Sequence, residues 1–244
     1  MIDELKLFRG KDYQVNDYIN IHQPTLEEIC DYGEQKYYSM VSTICATPSE
    51  YKVQLFDMGT DYEKISEFQF FTALCKGYKK ENTSILFDDL DFSRFEPSIN
   101  NENGDLILYD TVENSIIDEL AYILITDYLR KIHGFVKHTE IAGNAITKQI
   151  LIDEDRKEQE RFKENKKSYE SMLIPLISSM TNCNHFKYNH ESVWSLPIYT
   201  FMDSVKRIQK IKNYDQLMQG AYAGCVDLKK IPNEQLNWLG NLDK

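Results

Sequence analysis

The stretch from Ser115 to Gly134 constrains the fold more than any other part of the chain. Its apolar side chains cover more than half the circumference of a helix at 3.6 residues per turn. These side chains are Ile116, Ile117, Leu120, Ile123, Leu124, Tyr128, Leu129 and Ile132. Because a helix so apolar must be enclosed by other elements, the sequence predicts a central core helix over residues 115–133. Gly134 suits the left-handed residue that ends a helix, and the interspersed acidic residues exclude a membrane span.

The composition indicates a folded, acidic protein. Hydrophobic residues make up 42% of the 244 residues, which is enough for a sizeable core. The formal net charge of −11 opposes non-specific binding to a nucleic-acid backbone or to an anionic membrane surface. We therefore expect neither nucleic acid nor a membrane among the partners.

Cysteine usage and the N-terminus indicate the compartment. The five cysteines are odd in number and form no CxxC pair, which favours buried free thiols in a reducing compartment over a disulfide framework. The first ten residues, MIDELKLFRG, contain no basic region followed by an apolar run, so we expect no secretion signal. Both observations predict a cytoplasmic protein.

The N-terminal region is predicted to combine one short β-hairpin with three helices. Residues 4–8 and 18–22 are assigned to the two strands, with Ile19 and Ile21 on one face. The first two helices open with the capping-box pattern T-x-x-E, and the third opens with a serine cap. The predicted helices run from Thr25 to about Cys45, from Thr47 to Gly59 and from Ser66 to Gly77.

A second hairpin is predicted before the core helix. The sequence NNENG separates PSI from DLILY, and its Asn103-Gly104 pair is a strong turn signal. We expect this hairpin to lead directly into the core helix. After Gly134, Asn144 is a plausible N-cap for a long helix that carries a mixed-charge run from Asp153 to Lys167. This helix is interpreted as an exposed helix or a hinge between two lobes, with a partner-docking arm as the alternative.

The remainder is predicted to be a helical lobe. Residues 168–180 form an amphipathic helix that Pro175 should kink, Ser195 and Pro197 open a long helix, and a last short helix begins near Pro232. The sequence thus predicts a predominantly helical α+β protein with two short β-hairpins and a helical core. Its predicted regions are an N-terminal α+β domain (1–143), a charged connecting helix (144–167) and an all-helical C-terminal lobe (168–244).

Two groups of residues have side chains that suit a metal ion. The segment from Phe87 to Asp91 offers three carboxylates, and Cys183, His185 and His190 lie within eight residues of one another. The second group lacks a further Cys/His pair at finger spacing, and acidic loops such as the first are usually solvated. We predict no metal site and no cofactor, while metal binding by the second group stays open.

Motifs of catalysis are missing from the sequence. GxSxG, GxxxxGK[ST], GxGxxG and HExxH do not occur. Cys–His catalysis stays open, because such partners meet only in the fold. We therefore predict a non-catalytic protein and assign no catalytic residue.

The basic segment KRIQKIK, from Lys206 to Lys212, has two interpretations. With the nearby Tyr199 and Tyr214 it suits contact with nucleic acid. The helical periodicity already explains the same lysines as the solvated face of a helix packed on the core, and the global acidity weakens long-range attraction to nucleic acid.

Three stretches carry a family resemblance. IHQPTLEEICDYGEQKYYSM, ATPSEYKVQLFDMGTDYEKISEFQFF and the segment from Phe201 to Gly240 resemble proteins of the virion and tail-morphogenesis modules of phages and prophages of Gram-positive bacteria. Among these, the chain is most similar in character to a tail assembly chaperone. The shared motifs are not chemically specific, so the resemblance assigns no catalytic or ligand residue.

The resemblance implies a partner. A tail assembly chaperone would bind the tape-measure or tail-tube protein in the cytoplasm of the bacterial host, with a homo-oligomer as a further possibility. We expect the C-terminal helix, its tail and nearby tyrosines to form the binding surface. The candidate partner-binding residues are Tyr199, Lys206, Arg207, Lys210, Tyr214 and Trp238.

Two alternatives stay open. One is a structural virion component, such as a connector, a tail-completion protein or another tail protein, which would be located in the virion. The other is a phage nucleic-acid-binding or host-interaction protein.

Overall fold

The structure, a computed structural model, describes residues 2–164 and 168–242. Residues 165–167 of the predicted connecting helix and the last two residues of the predicted C-terminal lobe lie outside the described residues. The described residues are 56% helical with two small antiparallel sheets, so the predicted fold class, a predominantly helical α+β protein, is confirmed.

The α-helices are α1 (Glu4–Phe8), α2 (Leu26–Tyr32), α3 (Glu34–Ile44), α4 (Lys52–Asp57), α5 (Glu67–Leu74), α6 (Lys80–Phe87), α7 (Glu119–His133), α8 (Ala145–Glu164), α9 (Leu173–Thr181), α10 (Ile198–Tyr222) and α11 (Asn233–Leu236). The strands are β1 (Tyr13–Gln14), β2 (Asn20–Ile21), β3 (Glu96–Ile99), β4 (Leu106–Asp110) and β5 (Ser115–Ile117). Short 3₁₀ helices cover Pro48–Tyr51, Cys75–Gly77, Phe92–Arg94, Val193–Ser195 and Leu228–Lys230. None of the helices in the described ranges is long and apolar enough to cross a bilayer.

The core helix starts later than the sequence predicts. Asp118 caps α7 by accepting a hydrogen bond from the Ala121 amide at 2.7 Å, and Gly134 ends the helix with φ +68°, as predicted. The predicted start at Ser115 is wrong, because residues 115–117 pair with β4 as a third strand.

The core helix is also less enclosed than expected. Tyr122, Ile125 and Leu129 are fully buried on one face. On the other face the side chains of Leu120 and Ile123 are 63% and 43% exposed. Helix α7 therefore contributes one face to the core, as a core helix should, but other elements do not cover its other face.

The second sheet contains the predicted hairpin and one more strand. Its antiparallel order is β3-β4-β5, with Ser98 opposite Ile107 and Leu108 opposite Ile117. The hairpin is confirmed, but it does not lead directly into α7. A short turn with Asn114 at φ +50° sends the chain back along β4 before the helix begins.

The N-terminal hairpin is shorter than predicted. Tyr13 pairs with Ile21, and both Ile19 and Ile21 are buried as expected. Residues 4–8 are not a strand but helix α1, because the Asp3 side chain accepts hydrogen bonds from the amides of Leu5 and Lys6.

The capped helices form where the sequence predicts them. All three capping boxes have both of their reciprocal hydrogen bonds. The helix from Thr25 does not continue to Cys45, since Gly33 at φ +97° separates α2 from α3. Helix α6 was not predicted, and its N-cap residue Lys79 offers no side-chain cap.

One hydrophobic cluster joins the beginning of the chain to its C-terminal part. Leu7, Tyr128, Ile198 and Phe201 all belong to it. The Leu26 amide donates to the Leu196 carbonyl at 3.0 Å, and the Ile198 amide donates to the Pro24 carbonyl at 2.9 Å. These contacts dock α10 beside α1, α2 and α7.

Helix α8 packs against α4 through polar contacts. Asn144 caps it as predicted, by accepting from the Thr147 amide at 2.9 Å. Arg156 binds Asp57 with two hydrogen bonds of 2.6 and 3.1 Å, and Lys148 binds Asp61 at 2.7 Å. Ile152 is its buried residue. The division of the chain into three regions stays a prediction.

Two further expectations need correction. Helix α9 begins at Leu173, so Pro175 lies in its first turn, where its missing N–H removes no intrahelical hydrogen bond and no kink is required.

All five cysteines are free, but only Cys45 and Cys75 are buried, while Cys30 and Cys225 are exposed.

Gly10 provides a test of the contact between the chain start and α10. A Cβ at Gly10 (φ +67°) would lie 2.3 Å from Pro197 Cγ, so Gly10→Ala combines backbone strain with a steric clash. Gly59 has a similar φ of +73° and no atom within 4 Å of such a Cβ, so Gly59→Ala is the matched control. In denaturant titrations we expect Gly10→Ala to lower the free energy of unfolding by about 1–3 kcal/mol more than the control does. Equal losses would show that the close approach to Pro197 does not limit stability.

His133 makes stability depend on pH. Its Nδ1 lies 2.7 Å from the Leu129 carbonyl, which can only accept, so Nδ1 carries the proton and Nε2 accepts the Tyr37 hydroxyl at 2.6 Å. Burial lowers the pKa of His133 from 6.5 to about 4. Between pH 4 and pH 6.5 this histidine is protonated in the unfolded state but neutral in the folded state. The stability that neutral His133 contributes is therefore complete above pH 6.5 and is lost as the pH falls towards 4.

We expect His133 to contribute about 3 kcal/mol to the fall in unfolding free energy from pH 6.5 to pH 4. The measurement is the difference between wild type and His133→Gln in urea titrations across that range, which cancels the groups common to both proteins. The variant should be less stable at pH 7 with a flatter pH profile, whereas parallel profiles would contradict the assignment.

Candidate protein-binding surface

Five of the six predicted binding residues lie on α10, and Trp238 lies in the segment that follows α11. Helix α10 buries Ile198, Phe201 and Ile208 against the core. The other faces of the helix therefore point away from the core. We call residues 237–242 the tail. It returns along α10 and brings Trp238 back to the helix.

Two cations of α10 hold the tail. The Arg207 guanidinium donates to the carbonyls of Trp238 and Gly240 at 2.7 and 2.9 Å. The Lys210 ammonium donates to the carbonyls of Asn241 at 3.1 Å and Gly240 at 3.5 Å. These hydrogen bonds direct the charges of Arg207 and Lys210 towards the chain's own backbone.

The predicted aromatic pair also comes together. The rings of Tyr214 and Trp238 lie 6.5 Å apart between centroids, with 41° between their planes. The structure therefore gathers four of the six residues, Arg207, Lys210, Tyr214 and Trp238, around the tail. The other two, Tyr199 and Lys206, line a small recess beside Gly134 at the end of α7, which Leu242 of the tail also lines. Lys206 lines the groove described next as well.

A groove of about 660 Å³ runs between α10 and the α11 region. Most of its lining residues are polar, with Gln209, Asn213 and Gln235 among them, but polar and apolar atoms contribute about equally to its surface, and Leu217 and Leu242 supply apolar contacts. In the tail, Trp238 and Leu239 are 38% and 73% exposed. Amide and carbonyl groups beside exposed apolar side chains suit contact with another protein.

The candidate zinc residues do not form a site in the structure. Within the described ranges, no group of three His, Cys, Asp or Glu side chains is placed to hold a metal ion. The His190 ring packs edge-on against Trp194, and hydrogen bonds from the His185 backbone, with Lys212 nearby, lower the pKa of the Cys183 thiol. In the acidic segment, Asp89 binds Lys80 and Asp91 accepts from the Ser93 amide.

Two features of the structure were missed by the sequence analysis. The tail carbonyls that Arg207 and Lys210 bind have no sequence signal, because every residue has a carbonyl. The second is a separate cavity of about 390 Å³, lined by Tyr62, Tyr122 and Glu140 among others. Its lining comes from distant segments, so no local motif indicates it.

Residues 164–243 match the family model described as the YomV second domain. This range covers about a third of the chain and includes α9, α10, α11 and the whole tail. The family is phage-derived, and the match suggests a phage-associated protein. No curated protein and no solved structure gave a match.

The attachment of the tail to α10 can be tested with Arg207→Ala. Loss of its two carbonyl contacts should weaken tail binding by about 1–2 kcal/mol and raise amide hydrogen exchange at residues 233–242 by roughly tenfold. Gln219→Ala, at an exposed position further along α10, is the control and should leave exchange in the tail unchanged. Unchanged exchange in Arg207→Ala would show that other contacts hold the tail.

Proposed function

We propose that this protein is a non-catalytic phage tail assembly chaperone that binds the tape-measure or tail-tube protein through α10 and the tail. The observation that carries the proposal is the arrangement of this surface. A tail held by Arg207 and Lys210 borders the groove and carries the exposed apolar side chains Trp238 and Leu239. The same part of the chain matches the phage-derived family model.

The physical role follows from the chemistry of such a partner. A long apolar helical polypeptide aggregates unless its apolar surface is covered. A helical protein can cover that surface with amphipathic faces, and a net charge of −11 would keep the complex dispersed by repulsion. This role requires shape and apolar contact but no reactive centre.

The structural-virion alternative makes a different prediction about the particle. A chaperone leaves the assembly and should be missing from purified phage particles. A connector or tail-completion protein should be present there at a fixed copy number. Quantitative mass spectrometry of purified particles separates the two proposals.

The binding surface is tested by co-expression with the tape-measure and tail-tube proteins encoded nearby. We expect wild type to co-purify with at least one of them. The double variant Trp238→Ala/Leu239→Ser should recover roughly tenfold less partner, because we expect it to lose about 1.4 kcal/mol of binding free energy.

Ile146→Ser/Ile150→Ser is the matched control, since these α8 side chains are 75% and 50% exposed. It should capture the partner as wild type does, and circular dichroism should show that both variants stay folded. If neither protein co-purifies with wild type, the chaperone proposal fails. If both variants capture the partner equally, the role stands but its assignment to the tail is wrong.

A further inference from the structure

Three residues of the tail lie between two cavities on α10. We call these residues, 240–242, the plug. Leu242 lines both the 660 Å³ groove and the small recess beside Gly134, and Lys206 of α10 also lines both. The two cavities therefore adjoin at Leu242, so that a movement of the plug would change the access to each of them.

The recess suits one aliphatic side chain. Ile132 of its lining is 1% exposed, and the half-buried side chains of Tyr199 and Met202 add further apolar surface. Methionine adapts its shape to different apolar neighbours. With Leu242 in place the recess has a free volume of about 20 Å³, which is too small for the side chain of another molecule. A ligand could therefore enter only in place of Leu242.

Backbone hydrogen bonds position the plug next to the recess. The Lys210 ammonium donates to the carbonyls of Gly240 and Asn241, and the Arg207 guanidinium also donates to the Gly240 carbonyl. In peptide recognition, main-chain hydrogen bonds supply affinity and side-chain pockets supply specificity. The two cations and the recess provide both parts, so the plug sits on α10 as a peptide ligand would.

The plug can leave without disturbing the core. Its middle residue is exposed and the other two are half-buried. Exposed hydrogen bonds contribute little net free energy, because water replaces them when they break. When the plug detaches, the Trp238 ring can stay beside Tyr214 and the Trp238 carbonyl can keep its hydrogen bond from Arg207. The rest of the tail therefore remains attached to α10.

We propose that the plug covers a binding site for a short segment of the protein partner. An aliphatic side chain of that segment replaces Leu242 in the recess, and its carbonyls accept from Lys210 in place of the plug carbonyls. The plug thus competes with the partner, while Trp238 and Leu239 stay available for contact. This inference rests on the proposed function for the identity of the partner.

The site is tested first with a peptide, so that this result does not depend on a tail protein. The probe is an acetylated and amidated peptide with the sequence of residues 237–242, NWLGNL. It is titrated into the full chain labelled at the methionine methyl groups, and the Met202 signal is assigned with Met202→Leu. We expect this signal to shift saturably. The same peptide with alanine as its last residue should bind at least about fivefold more weakly.

A variant of the plug tests the competition. Leu242→Ala keeps the plug carbonyls but removes the side chain beside the recess. Since an attached segment competes at a high effective concentration, weakening it should raise the affinity for the peptide about fivefold. Leu228→Ala is the matched control, because Leu228 is also half-buried but lies outside the lining of both cavities. The control should bind as wild type does, and urea titrations should show that both variants stay folded.

The partner is tested by the co-expression experiment. Leu242→Ala should capture severalfold more tail protein than wild type, whereas Trp238→Ala/Leu239→Ser should capture less. If wild type captures no tail protein, the proposed function fails, but the peptide titration still decides whether the plug covers a site. Equal capture by wild type and Leu242→Ala would overturn the competition between the plug and the partner.

Three other results would overturn the inference. The first is a Met202 signal that the peptide does not shift in Leu242→Ala, and the second is equal affinity for the peptide that ends in alanine. The third is a wild-type dimer in sedimentation velocity that Leu242→Ala does not form, since this would identify a second copy of the chain as the occupant.

Discussion

The junction between the start of the chain and the start of α10 is the contact on which the rest of the structure depends. Reciprocal backbone hydrogen bonds join Leu26 to Leu196 and Ile198 to Pro24, so the capped start of α2 lies beside the start of α10. Gly10 allows α1 to approach Pro197 at the same place. With its first turns fixed here and its apolar face on the shared core, α10 presents Arg207 and Lys210 to the tail.

The sequence predicted those elements whose ends are determined by neighbouring side chains. The capping boxes at Thr25 and Thr47 and the caps at Ser66, Asn144 and Gly134 all form, because their partners lie within four residues. Errors occur where distant contacts decide the structure. Residues 115–117 suit a helix by periodicity, but pairing with β4 makes them a strand. A third strand of this kind has no local signal.

The binding surface on α10 likewise depends on distant contacts that the local sequence does not predict. Periodicity predicted that this helix packs on the core with its lysines on another face, and α10 buries Ile198, Phe201 and Ile208 there. It could not show that Arg207 and Lys210 bind carbonyls some 30 residues away, because this pairing depends on the path of the tail. The 390 Å³ cavity has no local signal either, since Tyr62, Tyr122 and Glu140 come from segments that are far apart in the sequence.

The positions of the cations on α10 determine what the binding surface attracts. Arg207 and Lys210 donate to the tail, so the surface beside them offers polar groups and exposed apolar side chains rather than free positive charge.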